Sequence, residues 1–310
     1  SMLHVICLNP AIDKIYRIPD FAAGEDYPGQ KPEMRVGGKG VNVARVLSQL
    51  GAPVHLYGFL GEGGDIIRKE MEERCVCSFF DVSGACRTTV NIIDPRSGRE
   101  TVITEAGPQV GESDVRELLL ELSDRVQPGD IVAASGSIIA GAPADIYAQI
   151  SRICEEIGAK CALDCNASAL KSSLSGNVRY VLGKPNEREL CALLQRERTK
   201  DVHALAEMAR ELMPPYEMLL VSMGAEGGIL VTREEAYAAH IPPLDVVSTV
   251  GSGDAAFAGA LSALEKGMDK RLVLQTAMSC GAINAKIGGN GSIVLQEFRN
   301  EASKIRVIPI

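Results

Sequence analysis

Tryptophan is absent from the 310-residue chain, and aromatic residues make up only 4% of it. Proteins that bind single-stranded nucleic acid stack the bases on exposed aromatic rings, so this composition argues against such a surface. A block of Lys and Arg residues is also missing, and the net charge of −8 disfavours contact with nucleic acid or an anionic membrane. We therefore expect neither partner.

Long apolar runs are missing too. None reaches the roughly 18 residues that a membrane-spanning helix requires, and residues 1–6 have neither the charged nor the long hydrophobic region of a secretory signal. The nine cysteines are scattered, odd in number and without the spacing of a zinc or redox pair. We therefore expect reduced thiols and a cytoplasmic protein.

The four histidines do not lie at metal-ligand spacing from one another, which disfavours a His-rich metal site. His4 and His55 lie within apolar, strand-like runs, and we interpret them as core residues. Two enzyme motifs are missing as well: the chain has no G-x-S-x-G nucleophile elbow, and no G-x-G-x-x-G turn follows its first strand.

Strand-length apolar runs and helical segments alternate along the chain, which at 46% hydrophobic residues can bury a sizeable core. From residue 112 onward, this alternation predicts a mostly parallel sheet with helices on both faces. The predicted strands are 3–8, 54–58, 130–134, 160–164, 178–182, 218–222, 229–232 and 236–240. The predicted helices are 41–50, 65–74, 112–125, 142–157, 168–175, 186–197, 202–213, 253–267 and 270–287.

Residues 14–36 and 79–104 have a different character. The first segment alternates weakly and contains three prolines, and the second alternates with period two around a turn at 95–98. The second segment, which includes a strand predicted at 79–82, indicates a hairpin. We expect the two segments to form a small β-sheet, inserted as a lid into one α/β domain that spans residues 1–310.

A glycine-rich turn at residues 249–255 (TVGSGDA) runs directly into an apolar helix. The first turn of a helix leaves about four backbone N–H groups unpaired, which favours a bound anion such as phosphate. Asp254 lies at this position and can accept a proton from an attacking hydroxyl group. The alternative interpretation is a structural turn with a helix-capping aspartate.

A second glycine motif, residues 37–40 (GGKG), also precedes a helix. Lys39 is a compact cation on this loop, and Asn42 follows it at a spacing that can face the same ligand. The spacing is not that of a P-loop, so an anion contact here is a hypothesis. Asp13 follows the first strand and Pro10, in the region where open α/β sheets bind ligands, and a plain turn residue is the alternative.

Three ordered motifs together resemble those of the ribokinase-like (PfkB) carbohydrate kinases. They are residues 36–44 (VGGKGVNVA), 183–190 (GKPNEREL) and 249–255. The resemblance implies a three-layer α/β sandwich with a lid, and a phosphotransferase that uses ATP and Mg²⁺ to phosphorylate an alcohol group. Residues 9–13 (NPAID) with G-G-K-G are similar to the phosphosugar branch, the 1-phosphofructokinases and tagatose-6-phosphate kinases.

The resemblance also implies roles for individual residues. Asp254 is the expected general base. The expected backbone anion hole is formed by Gly251, Ser252 and Gly253. The expected sugar-binding residues are Asp13, Gly38, Asn42 and Ser137, and the residues expected to bind the phosphate of the sugar are Lys39 and Arg87. The expected ATP-binding residues are Lys184, Asn186, Ser222, Gly224, Gly227, Gly281 and Asn284, and Glu189 is expected to act on Mg²⁺ through water.

The expected substrate is a ketohexose monophosphate, with fructose 1-phosphate preferred and tagatose 6-phosphate or fructose 6-phosphate as alternatives. Tyr27-Pro28 stands where the branch commonly has Asn-Arg, which leaves open a kinase of an unphosphorylated sugar or a nucleoside. A non-catalytic sugar- or nucleotide-binding regulator is a further alternative, because fold does not fix function. A homodimer through exposed lid edges is also left open.

Overall fold

The computed structural model describes the backbone of residues 1–310 and every side chain apart from that of Ala167. The strands are β1 (Leu3–Cys7), β2 (Ala11–Arg17), β3 (Glu33–Gly37), β4 (Val54–Glu62), β5 (Val76–Ala85), β6 (Arg87–Ile93), β7 (Glu100–Thr104), β8 (Ile131–Ser135), β9 (Lys160–Asp164), β10 (Leu182–Gly183), β11 (Met218–Ser222), β12 (Gly227–Thr232), β13 (Ala236–His240) and β14 (Arg306–Pro309).

The helices alternate with these strands. They are α1 (Lys39–Gln49), α2 (Asp65–Glu72), α3 (Glu112–Arg125), α4 (Ile146–Ile157), α5 (Ala167–Ser173), α6 (Glu187–Leu193), α7 (Val202–Arg210), α8 (Ser252–Glu265), α9 (Lys270–Ile287) and α10 (Leu295–Lys304).

In the described chain, ten strands form one sheet in the order β14-β13-β12-β11-β10-β9-β8-β1-β4-β5. The neighbours from β5 to β11 are parallel, and β11 to β14 are antiparallel. The chain leaves β1 towards β4 and β5, and later fills the other side with β8 to β11. Strand order therefore reverses between β1 and β8, which is where open α/β sheets form their ligand crevice.

Strand β1 shows why helices cover both faces of this sheet. Successive side chains of a strand point to opposite faces, and those of Leu3 and Val5 pack with α1, α8 and α9, whereas those of Ile6 and Leu8 pack with α3 to α7. All four side chains are fully buried. The predicted three-layer α/β sandwich with a mostly parallel sheet is confirmed.

A separate sheet has the order β3-β2-β6-β7, and we call it the small sheet. The strand predicted at 79–82 was wrongly assigned to it, because β5 pairs in parallel with β4 in the large sheet. The side chains of Phe79 and Phe80 pack on opposite faces of the large sheet, so burial on both sides holds this strand there. Asp13, expected in the turn after β1, lies within β2 of the small sheet.

Two elements near the C-terminal end, α10 and β14, were not predicted from the sequence. Helix α10 carries Glu301, which is 1% exposed and lies 2.5 Å from the Nζ of Lys286 on α9. Strand β14 pairs with β13 at the edge of the large sheet. Helix α10 is short and mostly polar and β14 has only four residues, so neither forms the apolar run by which the other elements were predicted.

His4 and His55 are buried, as predicted for core residues. All nine cysteines are free thiols, and Cys75 and Cys77 are half-buried while the others are buried. His4 lies in the core, where its ring nitrogens are 2.8 Å from the Tyr57 hydroxyl and 2.8 Å from the Asp130 carboxylate. None of the described helices combines the length and apolar character needed to cross a membrane.

His55 predicts how stability depends on pH. Burial, with a smaller contribution from neighbouring His4, lowers the pKa of His55 from 6.5 to about 4. Below pH 6.5 the unfolded chain therefore binds a proton at His55 that the folded chain does not bind. The contribution of neutral His55 to the free energy of unfolding is complete above pH 6.5 and is lost as the pH falls towards 4. We expect the free energy of unfolding to fall by about 1–2 kcal/mol more between pH 7 and pH 5 in the native protein than in His55→Gln, measured by urea denaturation.

The exposed His203 provides the control. His203→Gln should show the same fall as the native protein. An equal fall in the native protein and in His55→Gln would contradict the assignment.

Candidate active site

Polar side chains meet in the crevice at the carboxyl ends of the central strands. They line a cavity of about 470 Å³. Its lining residues are Lys39, Arg87, Gly136, Ser137, Asp164, Asn166, Lys184, Asn186, Glu189, Ser222 and Gly253. The structure thus brings together residues from all three sequence motifs.

Asp254 lies in the first turn of α8, directly after the cavity-lining Gly253, and its carboxylate lies against the cavity-lining Lys39. Its Oδ1 accepts a hydrogen bond from the Lys39 ammonium at 3.1 Å, and its Oδ2 accepts one from the Asn42 amide at 2.9 Å. Both partners belong to the first turn of α1, and Asp254 is 5% exposed. The carboxylate is therefore fixed in position while its helix end faces the cavity.

Gly251 makes the approach of this helix end possible. It caps α8 with a φ of 80°, a left-handed conformation that favours glycine. A Cβ here would also collide with the backbone nitrogen of Gly291. The turn before α8 therefore lies directly against the loop that follows α9.

Lys39 lies between two carboxylates and stays within reach of solvent. Its ammonium is 3.1 Å from Asp254 and 3.6 Å from Asp164, and its side chain is 43% exposed. The charges of Asp164 and Asp254 hold the pKa of Lys39 above its usual range. The ammonium therefore stays charged, and its exposure allows it to move onto an incoming anion.

Sequence reasoning assigned no role to Asp164, the last residue of the strand predicted at 160–164. It closes β9 and is 3% exposed, and its Oδ2 has no hydrogen-bond partner among the described atoms. That oxygen lies 3.6 Å from Lys39 Nζ and 3.7 Å from Lys184 Nζ. The signal was a carboxylate ending a buried apolar run, the same signal that drew attention to Asp13.

Arg87 supplies a further cation to the lining of the cavity. It opens β6, and its Nε donates a hydrogen bond to the carbonyl of Asn9 at 2.9 Å, while its side chain lines the cavity. Tyr27 takes no comparable position, because its hydroxyl accepts a hydrogen bond from the backbone of Ala22 and its ring packs on Phe21. The described cations that line the cavity are Lys39, Arg87 and Lys184.

Three predicted sugar-binding residues lie behind the cavity wall. Asp13 accepts a hydrogen bond from Asn290 at 3.0 Å, and burial raises the pKa of its carboxyl group. Asn42 is committed to Asp254. Gly38 caps α1 with a φ of 98°. Ser137, by contrast, lines the cavity directly.

An apolar cavity of about 480 Å³ adjoins the polar one, and the two share Ser222 and Gly253. Of the predicted nucleotide-binding and anion-hole residues, those lining the apolar cavity are Ser222, Gly224, Gly227, Ser252, Gly253 and Gly281. The other lining residues are mostly aliphatic or proline, from the loop at 241–246 and from α9. A flat aromatic base suits such walls, with its polar tail extending into the neighbouring cavity.

Glu189 and Asn186 cap α6 reciprocally. Asn186 Oδ1 accepts the Glu189 N–H at 2.7 Å, and Glu189 Oε1 accepts the Asn186 N–H at 3.0 Å. This leaves the second carboxylate oxygen of Glu189 for another partner in the cavity. Together with the unpartnered Asp164 oxygen, it offers the hard oxygen ligands that Mg²⁺ takes in small number when phosphates complete its shell.

Comparison with known proteins identifies the family. The sequence profile of the pfkB family carbohydrate kinases matches residues 2–295. The chain belongs to this family. Among solved structures, a candidate 1-phosphofructokinase from Thermotoga maritima is 26% identical over 100% of both chains, with a TM-score of 0.87. A candidate phosphofructokinase from Staphylococcus aureus is 27% identical over 100% of this chain and 99% of that one, with a TM-score of 0.83.

More distant structures share the fold. Phosphofructokinase-2 from Escherichia coli has a TM-score of 0.88 at 22% identity, covering 97% of this chain and 98% of that one. Ribokinase from Giardia lamblia has a TM-score of 0.77 at 18% identity, covering 98% and 99%. The ribokinase-like fold is confirmed, and the protein is a sugar kinase of the PfkB family.

One predicted ATP-binding residue of this PfkB kinase, Asn284, has a structural role in the described chain. Asn284 is fully buried, and all four of its hydrogen-bonding positions are filled within the protein. Its amide nitrogen donates to Val250 O and Ser252 Oγ, and its amide oxygen accepts from Gly291 N and Ser292 N. The side chain joins the loop after α9 to the start of α8, and it lines neither cavity.

Replacing Asn284 by alanine tests this role in the PfkB kinase. Asn284→Ala leaves several buried backbone groups without a hydrogen-bond partner. We therefore expect the free energy of unfolding to fall by about 2–4 kcal/mol, measured by urea denaturation. Ser279, also fully buried on α9, donates only to the carbonyl of Gln275 one turn earlier, and Ser279→Ala should cost clearly less. Equal losses in the two variants would contradict the account.

Proposed function

We propose that this PfkB kinase transfers the γ-phosphoryl group of ATP to a ketohexose monophosphate, with fructose 1-phosphate as the preferred acceptor and fructose 1,6-bisphosphate as the product. The observation that carries the proposal is the pair of cations, Lys39 and Arg87, that line the polar cavity beside Asp254. A neutral sugar has no group that needs two cations, whereas a phosphate does.

Asp254 acts as general base in this proposal. The acceptor oxygen bonds to the γ-phosphorus, the bond from that phosphorus to the bridging oxygen breaks with its electron pair on ADP, and the hydroxyl proton passes to Asp254. A free hydroxyl is a weak acid, so the carboxylate helps late in the transfer, once the oxygen has become acidic. The hydrogen bond from Asn42 holds the carboxylate in place.

The start of α8 stabilises the transferring group. The helix end presents the N–H groups of Gly251 and Gly253, together with partial positive charge, to the phosphoryl oxygens, whereas the Ser252 N–H donates to the carbonyl of Thr249 at 3.1 Å. The ammonium of Lys184 supports it, since a Cβ on Gly253 would lie only 3.2 Å from that nitrogen. Glycine at this position therefore keeps the path between helix end and lysine open.

Lys39 couples the recognition of the substrate to the state of the base. In the free enzyme its ammonium lies on the Asp254 carboxylate. A phosphate on the acceptor attracts that half-exposed ammonium, which frees one oxygen of Asp254 for the acceptor hydroxyl. A phosphorylated acceptor is therefore favoured over a neutral one at the step that frees the base.

ATP fits across the two adjoining cavities in this proposal, with adenine between the aliphatic walls and the phosphates towards Lys184 and Asn186. Glu189, through water, and Asp164 are the residues that would hold Mg²⁺. The ion, when bound, would neutralise charge on the transferring phosphates. The small sheet is proposed as a lid that excludes water, which otherwise competes as the acceptor.

Tyr27 favours one alternative substrate class. Its side chain is engaged within its own loop, so no guanidinium stands at that position of the small sheet. A kinase of an unphosphorylated sugar or of a nucleoside is therefore the second candidate, and tagatose 6-phosphate and fructose 6-phosphate remain alternative charged acceptors. A non-catalytic regulator is disfavoured by the enclosed Asp254 and the two cavities that meet beside it.

The setting of the enzyme is also a proposal. Nine free thiols fit a reducing compartment such as the cytoplasm. The edge strand β7 is exposed along its whole length and carries Val102 and Ile103, each more than half exposed. Exposed apolar edges invite pairing, so a homodimer through the small sheet is proposed; E. coli phosphofructokinase-2 has been solved in a tetrameric form.

A substrate panel tests the reaction. With Mg·ATP, purified protein should release ADP fastest with fructose 1-phosphate among fructose 1-phosphate, tagatose 6-phosphate, fructose 6-phosphate, free fructose and adenosine. Asp254→Asn should lower kcat by about 10²–10⁴-fold because it removes the base while keeping the shape. Absence of ADP release with every acceptor would overturn the proposed function.

Arg87→Ala tests the recognition of the phosphate. We expect KM for the phosphosugar to rise by about 10–100-fold, while KM for a neutral acceptor changes by less than about 2-fold, because only the former loses a charged contact. Arg96→Ala removes an exposed arginine of the same sheet, paired with Asp20, and serves as the control. Equal changes for both acceptors would argue for the neutral-sugar alternative.

A further inference from the structure

The guanidinium of Arg45 is buried, with 5% of the residue exposed, yet it plays no part in the chemistry described so far. It projects from α1, the helix that also carries Lys39 and Asn42. Arginine is almost never this deeply buried unless its donors are satisfied. Its acceptors therefore indicate what it holds.

The acceptors of Arg45 come from several parts of the site. Its Nη1 donates to Asn42 Oδ1 at 3.0 Å, and to the carbonyls of Asn290 and Gly291 at 3.3 Å each. Its Nη2 donates to the carbonyl of Val36 at the end of β3, and to Glu70 on α2 at 2.9 Å. The guanidinium thus joins the small sheet, the α9–α10 loop and the first turn of α1.

The contact with Asn42 determines how Asp254 is held. An asparagine amide has an accepting end and a donating end, and a guanidinium can only donate. With Oδ1 on Arg45, the Nδ2 of Asn42 must face Asp254, where it donates at 2.9 Å. The reversed amide would set an oxygen against the carboxylate and an N–H against the guanidinium.

Arg45 also contacts the loop that packs against the start of α8. Arg45 holds the carbonyls of Asn290 and Gly291, and Gly291 packs against Gly251 at the cap of α8. The Asn290 side chain in turn donates to Asp13 at 3.0 Å. One buried cation therefore supports both the carboxylate of Asp254 and the turn before it.

We propose that Arg45 is a positioning residue for phosphoryl transfer: through Asn42 it fixes the carboxylate of Asp254 towards the acceptor hydroxyl. This proposal rests on the proposed role of Asp254 as base. A planar guanidinium with several fixed donors suits the task, and a lysine cannot reach all the acceptors at once. The competing view is that Arg45 only anchors α2 through Glu70.

A kinetic cycle separates the two views. Arg45→Met should lower kcat by about 10–100-fold while KM for ATP changes by less than about 3-fold. In an Asn42→Ala background the same change should lower kcat by less than about 3-fold, because the linking amide is already gone. Glu70→Gln, which removes only the charge of the α2 contact, should leave kcat within about 2-fold of the native value.

Arg45→Lys provides the variant that retains a buried cation, and it should lower kcat by about 3–10-fold with the fold intact by circular dichroism. Equal losses of kcat from Arg45→Met in the native and Asn42→Ala backgrounds would overturn the proposal. So would a native kcat in Arg45→Lys and Arg45→Met, or a loss of kcat in Glu70→Gln as large as that in Arg45→Met.

An independent readout requires no turnover, which keeps this inference distinct from the proposed function. Solvent exchange of the Asn42 side-chain amide protons, followed by NMR, should be slow in the native protein and in Glu70→Gln, and at least about 10-fold faster in Arg45→Met or Arg45→Lys. Unchanged exchange in both Arg45 variants would overturn the positioning role. A native protein that is inactive with every acceptor, but shows the expected exchange, would instead overturn the proposed function and leave the positioning of the Asn42 amide by Arg45 in place.

Discussion

The site depends on the contact between α1 and α8 that holds the Asp254 carboxylate. At the start of α8, the carboxylate accepts hydrogen bonds from the Lys39 ammonium and from the Asn42 amide. Asp254 is more than 200 positions from Lys39 and Asn42 in the sequence. The residues meet because α1 and α8 cover the same face of the large sheet. The contact also requires the cap of α8 to lie flush against the next loop, which the left-handed Gly251 permits. Displacing this helix end would move Asp254, the glycine turn at 251–253 and the walls of both cavities together.

Beside this contact, the charged side chains and the apolar surface line two separate, adjoining cavities. The polar cavity collects cations that suit phosphates, and the adjoining apolar cavity suits a flat base. Phosphoryl transfer asks a protein mainly for alignment and charge neutralisation, and this division provides both. In the proposed mechanism the half-exposed Lys39 links the two requirements, since carboxylates hold its ammonium in the free enzyme and the phosphate of the acceptor would attract it.

The sequence predicted the large-scale organisation because its signals are local. Apolar runs and glycine turns located most strands and helices, and three motifs located the family and the walls of the crevice. Other features depend on which distant groups lie opposite a residue. They are the pairing of β5 with β4, the hydrogen bonds of the buried Asn284, and the contacts of Asp164 and Arg45. A single sequence does not encode those partners in its periodicity, so these features required the structure.

The most direct measurement is a crystal structure of the enzyme with a non-hydrolysable ATP analogue and fructose 1-phosphate. The account predicts adenine in the apolar cavity, the acceptor hydroxyl within hydrogen-bond distance of Asp254, and the Lys39 ammonium moved from that carboxylate to the phosphate of the sugar. A complex in which Lys39 stays on Asp254 while the acceptor hydroxyl points elsewhere would contradict it.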